Sequence, residues 1–148
     1  FKNDKDDCKS QSGFVFTLNG GAVSWKSSKQ EATTNSTTEA EYIAASEAAK
    51  EAVWIKKFIS ELRVVPSMDE PIHLYCDNTG AIVQLMEPRS HQRTKHVLRR
   101  YHLIREIIDR MDVKIDYIPT DDNLADSLTK AISQRKHDIH YEALGLQL

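Results

Sequence analysis

At 148 residues, 40% hydrophobic and 28% charged, the chain has the size and composition of one globular domain able to bury a real core. The formal net charge of −2 excludes a global basic field, so any nucleic-acid partner must be met by a local patch. No apolar run reaches the length of a membrane span, and Cys8 and Cys76 form neither a CxxC pair nor a zinc spacing, which points to reduced thiols in an intracellular protein of the cytoplasm or nucleus.

The charged residues 1–12 read as a loop, and the lack of an initial methionine predicts a piece of a longer chain. Two apolar runs follow, 13–18 and 21–26, separated by Asn19-Gly20, a strong hairpin signal, and Thr33-Thr34 extends the second toward residue 35. A long helix is expected over 37–62 and a strand over 72–76. A short helix over 78–86 stops before Pro88, and a second strong helix covers 95–110. The alternation of residues 113–118 gives a strand, residues 123–131 a last helix, and the tail 133–148 one more weak helix. Hairpin, helix, strand, helix, strand, helix is an α/β domain with a mixed sheet, here assigned to residues 13–132.

Three acidic positions stand out. In STTEAEYIAA, Ser36 and Glu39 fit a capping box, which accounts for Glu39. Glu41 instead falls at helical spacing on a stripe with Ala44, Ala48, Ile55, Phe58, Ile59 and Leu62. A buried carboxylate is costly unless paired or metal-bound, although the stripe could equally fray there. Asp77 ends a strand, where ligands of open α/β sheets collect, but either Asp77 or Asn78 could also cap the next helix. Asp121 and Asp122 are natural caps, and Asp126 lies off the Leu124–Leu128 stripe, with solvent exposure as its plain alternative. Together these are positions where an α/β fold can gather acids. Such a cluster needs a compensating charge, which Mg²⁺ supplies at sites shared with phosphate, in an arrangement suited to two-metal hydrolysis.

At these residues the chain resembles the ribonuclease H domain of copia-type retrotransposon Pol polyproteins. The strings GGAVSWKSSKQ, STTEAEYIAASEAAKEAVWIKKFISEL, YCDNTGAI, HQRTKHVLRRYHLIREII and TDDNLADSLTK carry the resemblance, in order, over nearly the whole chain. It implies a ribonuclease H-like fold, with a mixed sheet flanked by helices. It also implies hydrolysis of the RNA strand of RNA–DNA hybrids, with two Mg²⁺ ions (or Mn²⁺ as substitute) and the reverse transcriptase part of the same polyprotein as partner. By motif, Glu41, Asp77 and Asp126 would be the catalytic and metal-binding acids. The family's first aspartate, on a central strand, would lie just before Phe1, so the chain as given is expected to be marginally stable and weakly active or inactive alone. Asp4, Asp6 and Asp7 match a solvated acidic turn instead. The alternative is a catalytically inactive remnant that binds nucleic acid or braces a reverse transcriptase.

Arg89, Arg93, Lys95, Arg99, Arg100 and Arg105 form one basic segment with His91, His96 and His102, and with Tyr101 available for stacking. Phosphate backbones attract such clusters, and a hybrid calls for shape and backbone recognition. The alternative is an ordinary solvated helix face above buried Val97, Leu98, Ile104, Ile107 and Ile108. The expected nucleic-acid contacts are Arg93, Lys95 and Arg99, with Asn78, His91 and His96. Trp25, Trp54 and Phe58 read as core, and Ser24 and Ser127 have no base partner that would make a nucleophile.

Overall fold

The computed structural model describes residues 9–31, 33–34, 36–66, 68–87 and 95–147, the side chains of 95–98 excepted. The α/β class is as expected, with small sheets accompanied by helices. β1 (Gln11–Leu18) and β2 (Gly21–Lys29) pair antiparallel, β3 (Ile72–Cys76) and β4 (Val113–Tyr117) pair parallel, and the two pairs are separate sheets among the described residues. The helices are α1 (Thr37–Leu62), α2 (Thr79–Met86), α3 (Lys95–Asp109), α4 (Asp126–Thr129) and α5 (Gln134–Ala143), with a 3-10 turn at Thr120–Asp122. Two compact units result, Phe1–Ala40 with Ile118–Leu148, and Glu41–Tyr117.

In the first unit the hairpin closes at Asn19 (φ 54°) and Gly20 (φ 81°), the left-handed pair that a tight two-residue turn demands. Its interior is notably polar. Ser10 Oγ meets Thr34 Oγ1 at 2.9 Å, and Gln30 Nε2 donates to Ser12 Oγ (2.5 Å) and to the Ala40 carbonyl (2.9 Å). These bonds offset the desolvation of the buried groups and tie β1 and β2 to the first turn of α1. α4 lies against the hairpin. Ser27 Oγ donates to the Leu128 carbonyl at 2.6 Å, and a side chain at Gly13 would collide with Thr129 Cγ2, at 2.6 Å from a Cβ. The tail is bound rather than loose: Lys136 Nζ pairs with Asp121 at 2.9 Å, and the Ala22 amide donates to the Leu144 carbonyl at 3.0 Å.

In the second unit β3 connects to β4 through α2 and α3, a βαβ crossover. The β3 alternation buries Leu74 and Cys76 and exposes His73 and Tyr75. Leu85, Ile104, Ile107 and Val113 are fully buried around it. α1 adds Tyr42, Ile43, Ala45, Ala49, Ala52 and Ile55 to the buried set.

This last observation corrects the stripe expected from sequence. Phe58 and Leu62 are 47% and 53% exposed, while the alanines carry the buried face. Of the expected stripe, Ala48 and Ile55 are buried, while its C-terminal end at Phe58 and Leu62 is not. Trp25, Trp54 and Phe58, expected in the core, are all exposed, and Trp54 stacks on Phe58 with centroids 5.3 Å apart. The i, i+4 spacing lets this pair cover itself outside the core.

The expected final helix is also shorter than drawn. Asp121 and Asp122 lie within the 3-10 turn instead of capping, and the helix starts at Asp126.

Candidate metal centre

Glu41 is positioned by the start of α1. Ser36 Oγ accepts from the Glu39 amide at 3.1 Å, as the capping box predicts, and this fixes the helix so that Glu41 comes one turn in, half-buried beside Tyr42. Asp77 directly follows β3. The residue after it settles its role: Asn78 has extended dihedrals (φ −107°, ψ 105°), and its Oδ1 accepts from the Ala81 amide at 2.9 Å. Asn78 is therefore the cap of α2, and the capping alternative for Asp77 falls away. The carbonyl oxygen of the Asn78 side chain is thereby committed to the backbone rather than to a ligand.

Glu41, Cys76 and Asp77 converge, each placing one ligand atom within 4.8 Å of the other two. Cys76 was read from sequence only as a reduced thiol. The signal that could have found it is its β3 alternation with inward-facing Leu74, immediately before Asp77. Its thiol is pushed up to about 11, first by burial, with the charges of Glu41 and Asp77 adding to that and a backbone hydrogen bond at Asn78 opposing it. The thiol is thus held neutral beside two carboxylates. The hard oxygens of Glu41 and Asp77 fit Mg²⁺ or Mn²⁺, which binds through one or two carboxylates and completes its shell with water and phosphate.

Asp126 is buried, not solvent-exposed as its plain alternative had it, with a side chain 5% accessible. Its carboxylate pairs with Lys130 Nζ at 3.0 Å. Lys130 escaped the sequence reading although the i, i+4 spacing in LADSLTK was its signal. Asp121 is held below the usual carboxylate range, first by its hydrogen bond with Lys136 and then by that ammonium's charge. Nearby, His140 is buried, with Nε2 3.0 Å from the Asp121 carbonyl, and it anchors α5 to the 3-10 turn.

The basic segment divides. Arg89, His91 and Arg93 lie outside the described residues, as do Asp4, Asp6 and Asp7, and so do the side chains of Lys95 and His96 at the start of α3. Arg99 and His102 are exposed. Arg105 is occupied, donating to the Leu85 carbonyl at 3.1 Å and pairing with Asp109 at 3.5 Å. Tyr101, expected to be open for stacking, is buried, and its hydroxyl donates to the Glu87 carbonyl. Ser127 Oγ donates to the Leu124 carbonyl at 2.8 Å, an ordinary helical bond with no base beside it. Among the described residues no helix is long and apolar enough to cross a membrane.

The chain is similar to transposon polyproteins over most of its length. It is 43% identical over 143 residues to the retrovirus-related Pol polyprotein from transposon TNT 1-94 of Nicotiana tabacum, a match covering 97% of this chain and 10% of that protein. Against the Pol polyproteins from transposons RE1 and RE2 of Arabidopsis thaliana it is 37% and 36% identical over 131 residues, covering 88% of this chain and 9% of each. The chain spans about a tenth of the length of the curated relatives it matches. No family model matches it, and no solved structure matches it.

Proposed function

We propose that the chain is a ribonuclease H-type segment of a retrotransposon Pol polyprotein, hydrolysing the RNA strand of RNA–DNA hybrids with Mg²⁺ or Mn²⁺. The observation that carries this reading is the convergence of Glu41 and Asp77 at the carboxyl end of β3, with Asn78 taking over the capping role. Similarity to Pol polyproteins over nearly the whole chain supports it. Asp126 joins the acidic set on the strength of its motif.

Two carboxylates that meet this closely repel each other, and a divalent cation relieves the repulsion. When bound, a pair of such ions supplies a hydroxide near neutral pH and stabilises the leaving oxygen of the phosphodiester. Glu41, on a helix fixed by its Ser36 cap, and Asp77, at the rigid end of a strand, hold the ligand oxygens in place without reorganisation. The neutral thiol of Cys76 adds no third negative charge and leaves the hard oxygens as the donors. The exposed Arg99 of α3 meets the phosphate backbone.

The test is hydrolysis of a labelled hybrid in Mg²⁺ and in Mn²⁺ by the chain and by a longer piece of the polyprotein. Glu41→Gln and Asp77→Asn are each expected to lower the rate on the order of a hundredfold or more, since metal stabilisation is worth several kcal/mol. Glu39→Gln is expected to leave it within about twofold. Hybrid binding without cleavage in either metal, by either piece, would instead support the inactive nucleic-acid-binding alternative.

A further inference from the structure

The proposed hydrolysis has no use for the sulfur of Cys76. The residue is 6% exposed, and its Sγ meets one oxygen from each of Glu41 and Asp77, all three atoms within 4.8 Å of one another. Neighbours on a regular strand point to opposite faces, so Cys76 and Asp77 could not reach one point from within β3. They do so because β3 ends at Cys76, and Asp77 lies in the bend beyond it, before Asn78 caps α2. α1 brings Glu41 to the same place from another part of the chain. The thiol itself donates to the Asn78 carbonyl at 3.7 Å, a weak bond that a stronger one replaces at little cost.

Mg²⁺ and Mn²⁺ take oxygen donors and leave such a sulfur aside, whereas thiolate draws Zn²⁺ and its heavier analogue Cd²⁺. Zn²⁺ is satisfied by three protein donors, with water in the fourth tetrahedral position. With bonds of about 2.0–2.3 Å its donors stand roughly 3.5 Å apart, so the triad needs only a small contraction to close on one ion.

We propose that Glu41, Cys76 and Asp77 form a site for one thiophilic divalent cation of the Zn²⁺ class, bound through Sγ and one oxygen of each carboxylate, and that this ion shuts the hard cations out. This rests on the proposed role of Glu41 and Asp77 as metal-binding acids. As the metal–sulfur bond forms, the S–H bond breaks: its electron pair goes to the metal and its proton to solvent. Nothing is oxidised or reduced. The bound ion takes an oxygen from each acid that the hydrolytic ions need, so its presence is an off state of the same site.

Cd²⁺ is the probe, because its bond to thiolate absorbs in the ultraviolet. The titration uses the full chain carrying Cys8→Ser, in which Cys76 is the one remaining cysteine, and the same chain with Cys76→Ser, Glu41→Gln or Asp77→Asn added. Circular dichroism confirms that each is folded. The expected result is a charge-transfer band that saturates at one Cd²⁺ per chain and is lost with Cys76→Ser. Either acid variant moves its midpoint at least about tenfold to higher Cd²⁺, since even outer-shell changes cost a metal site about 10- to 100-fold. No band, or one that survives Cys76→Ser, overturns the proposal. A midpoint that either acid variant leaves within about twofold overturns it too, because a thiol alone then binds Cd²⁺. If the acid variants do not fold, X-ray absorption of the Zn²⁺-loaded Cys8→Ser chain decides: one sulfur at about 2.3 Å supports the site, and a shell without sulfur overturns it.

Electron paramagnetic resonance of Mn²⁺ on the Cys8→Ser chain separates the two layers. Cd²⁺ is expected to release bound Mn²⁺, and Mn²⁺ that stays while the Cd²⁺ band fills overturns the exclusion. If Mn²⁺ binds through Glu41 and Asp77 while Cd²⁺ gives no band, the hydrolytic site stands and the thiophilic one is wrong. If the Cd²⁺ results hold and Mn²⁺ does not bind, the thiophilic site stands and the hard-cation reading is wrong.

Discussion

A buried thiol between two carboxylates is an energetic statement about protons. Cys76 is driven up to about 11 from an ordinary value of 9.0, with burial the largest cause and Glu41 and Asp77 adding to it. Below pH 9 the thiol is protonated whether the chain is folded or not, and it contributes no pH dependence. Between about 9 and 11 the unfolded chain has released a proton that the folded chain still holds. Stability therefore falls as pH rises through this window. Lysines and tyrosines titrate there too, so the measurement is a difference: urea midpoints at intervals from pH 8 to 11 for the chain and for Cys76→Ala. The wild-type decline is expected to be steeper, and parallel declines would contradict the assigned environment. The same residue shows where single-residue reading stops. Asp77 and Asn78 were equivalent caps in sequence, and only the Asn78 Oδ1 bond to the Ala81 amide distinguishes them.

Elements obey rules that sequence displays unevenly. α3 ends in a Schellman motif: the Asp112 amide donates to the Ile107 carbonyl at 3.2 Å and the Met111 amide to the Ile108 carbonyl at 2.9 Å. Met111 takes the left-handed position at φ 59°, where glycine is the usual occupant, and its side chain is 60% exposed. A left-handed conformation costs a side-chain-bearing residue roughly 1–2 kcal/mol, and glycine's greater unfolded entropy returns part of that. Met111→Gly is expected to stabilise the second unit by about 0.5–1 kcal/mol, read as a higher urea midpoint with unchanged slope. A lower midpoint would mean that the methionine packs more than its exposure indicates. The bounds of α1 and β3 were legible because capping chemistry and period-two alternation are local. The short α4 was not, because the tight contact at Gly13 and the Ser27 bond to the Leu128 carbonyl hold it, and both cross about a hundred residues of sequence. The buried face of α1 was legible at Ala48 and Ile55 but not at Phe58 and Leu62, because helical spacing alone does not tell how far along a helix its apolar stripe is covered.

For the molecule as a whole, charge sets the terms on which a polyanion can bind. A net charge of −2 provides no long-range attraction, so under the proposed function affinity for a hybrid would come from a few direct phosphate contacts. Of the basic segment, Arg105 is spent on Leu85 and Asp109, whereas Arg99 is exposed. The basic segment was legible in sequence, but this division of its arginines was not, since it depends on which carbonyl each guanidinium reaches. The expected salt dependence is correspondingly shallow. Each neutralised phosphate adds roughly 0.7–0.9 to the slope of log affinity against log salt, so two to four contacts give a slope of about −2 to −4. Arg99→Ala should flatten that slope by about one and weaken hybrids of different sequence equally, because a backbone contact reads no base. Arg105→Ala should leave the slope unchanged while lowering stability, because its partners are internal. Fluorescence anisotropy with a labelled hybrid across a salt series measures both. A slope unaffected by Arg99→Ala would move the binding surface off the exposed face of α3.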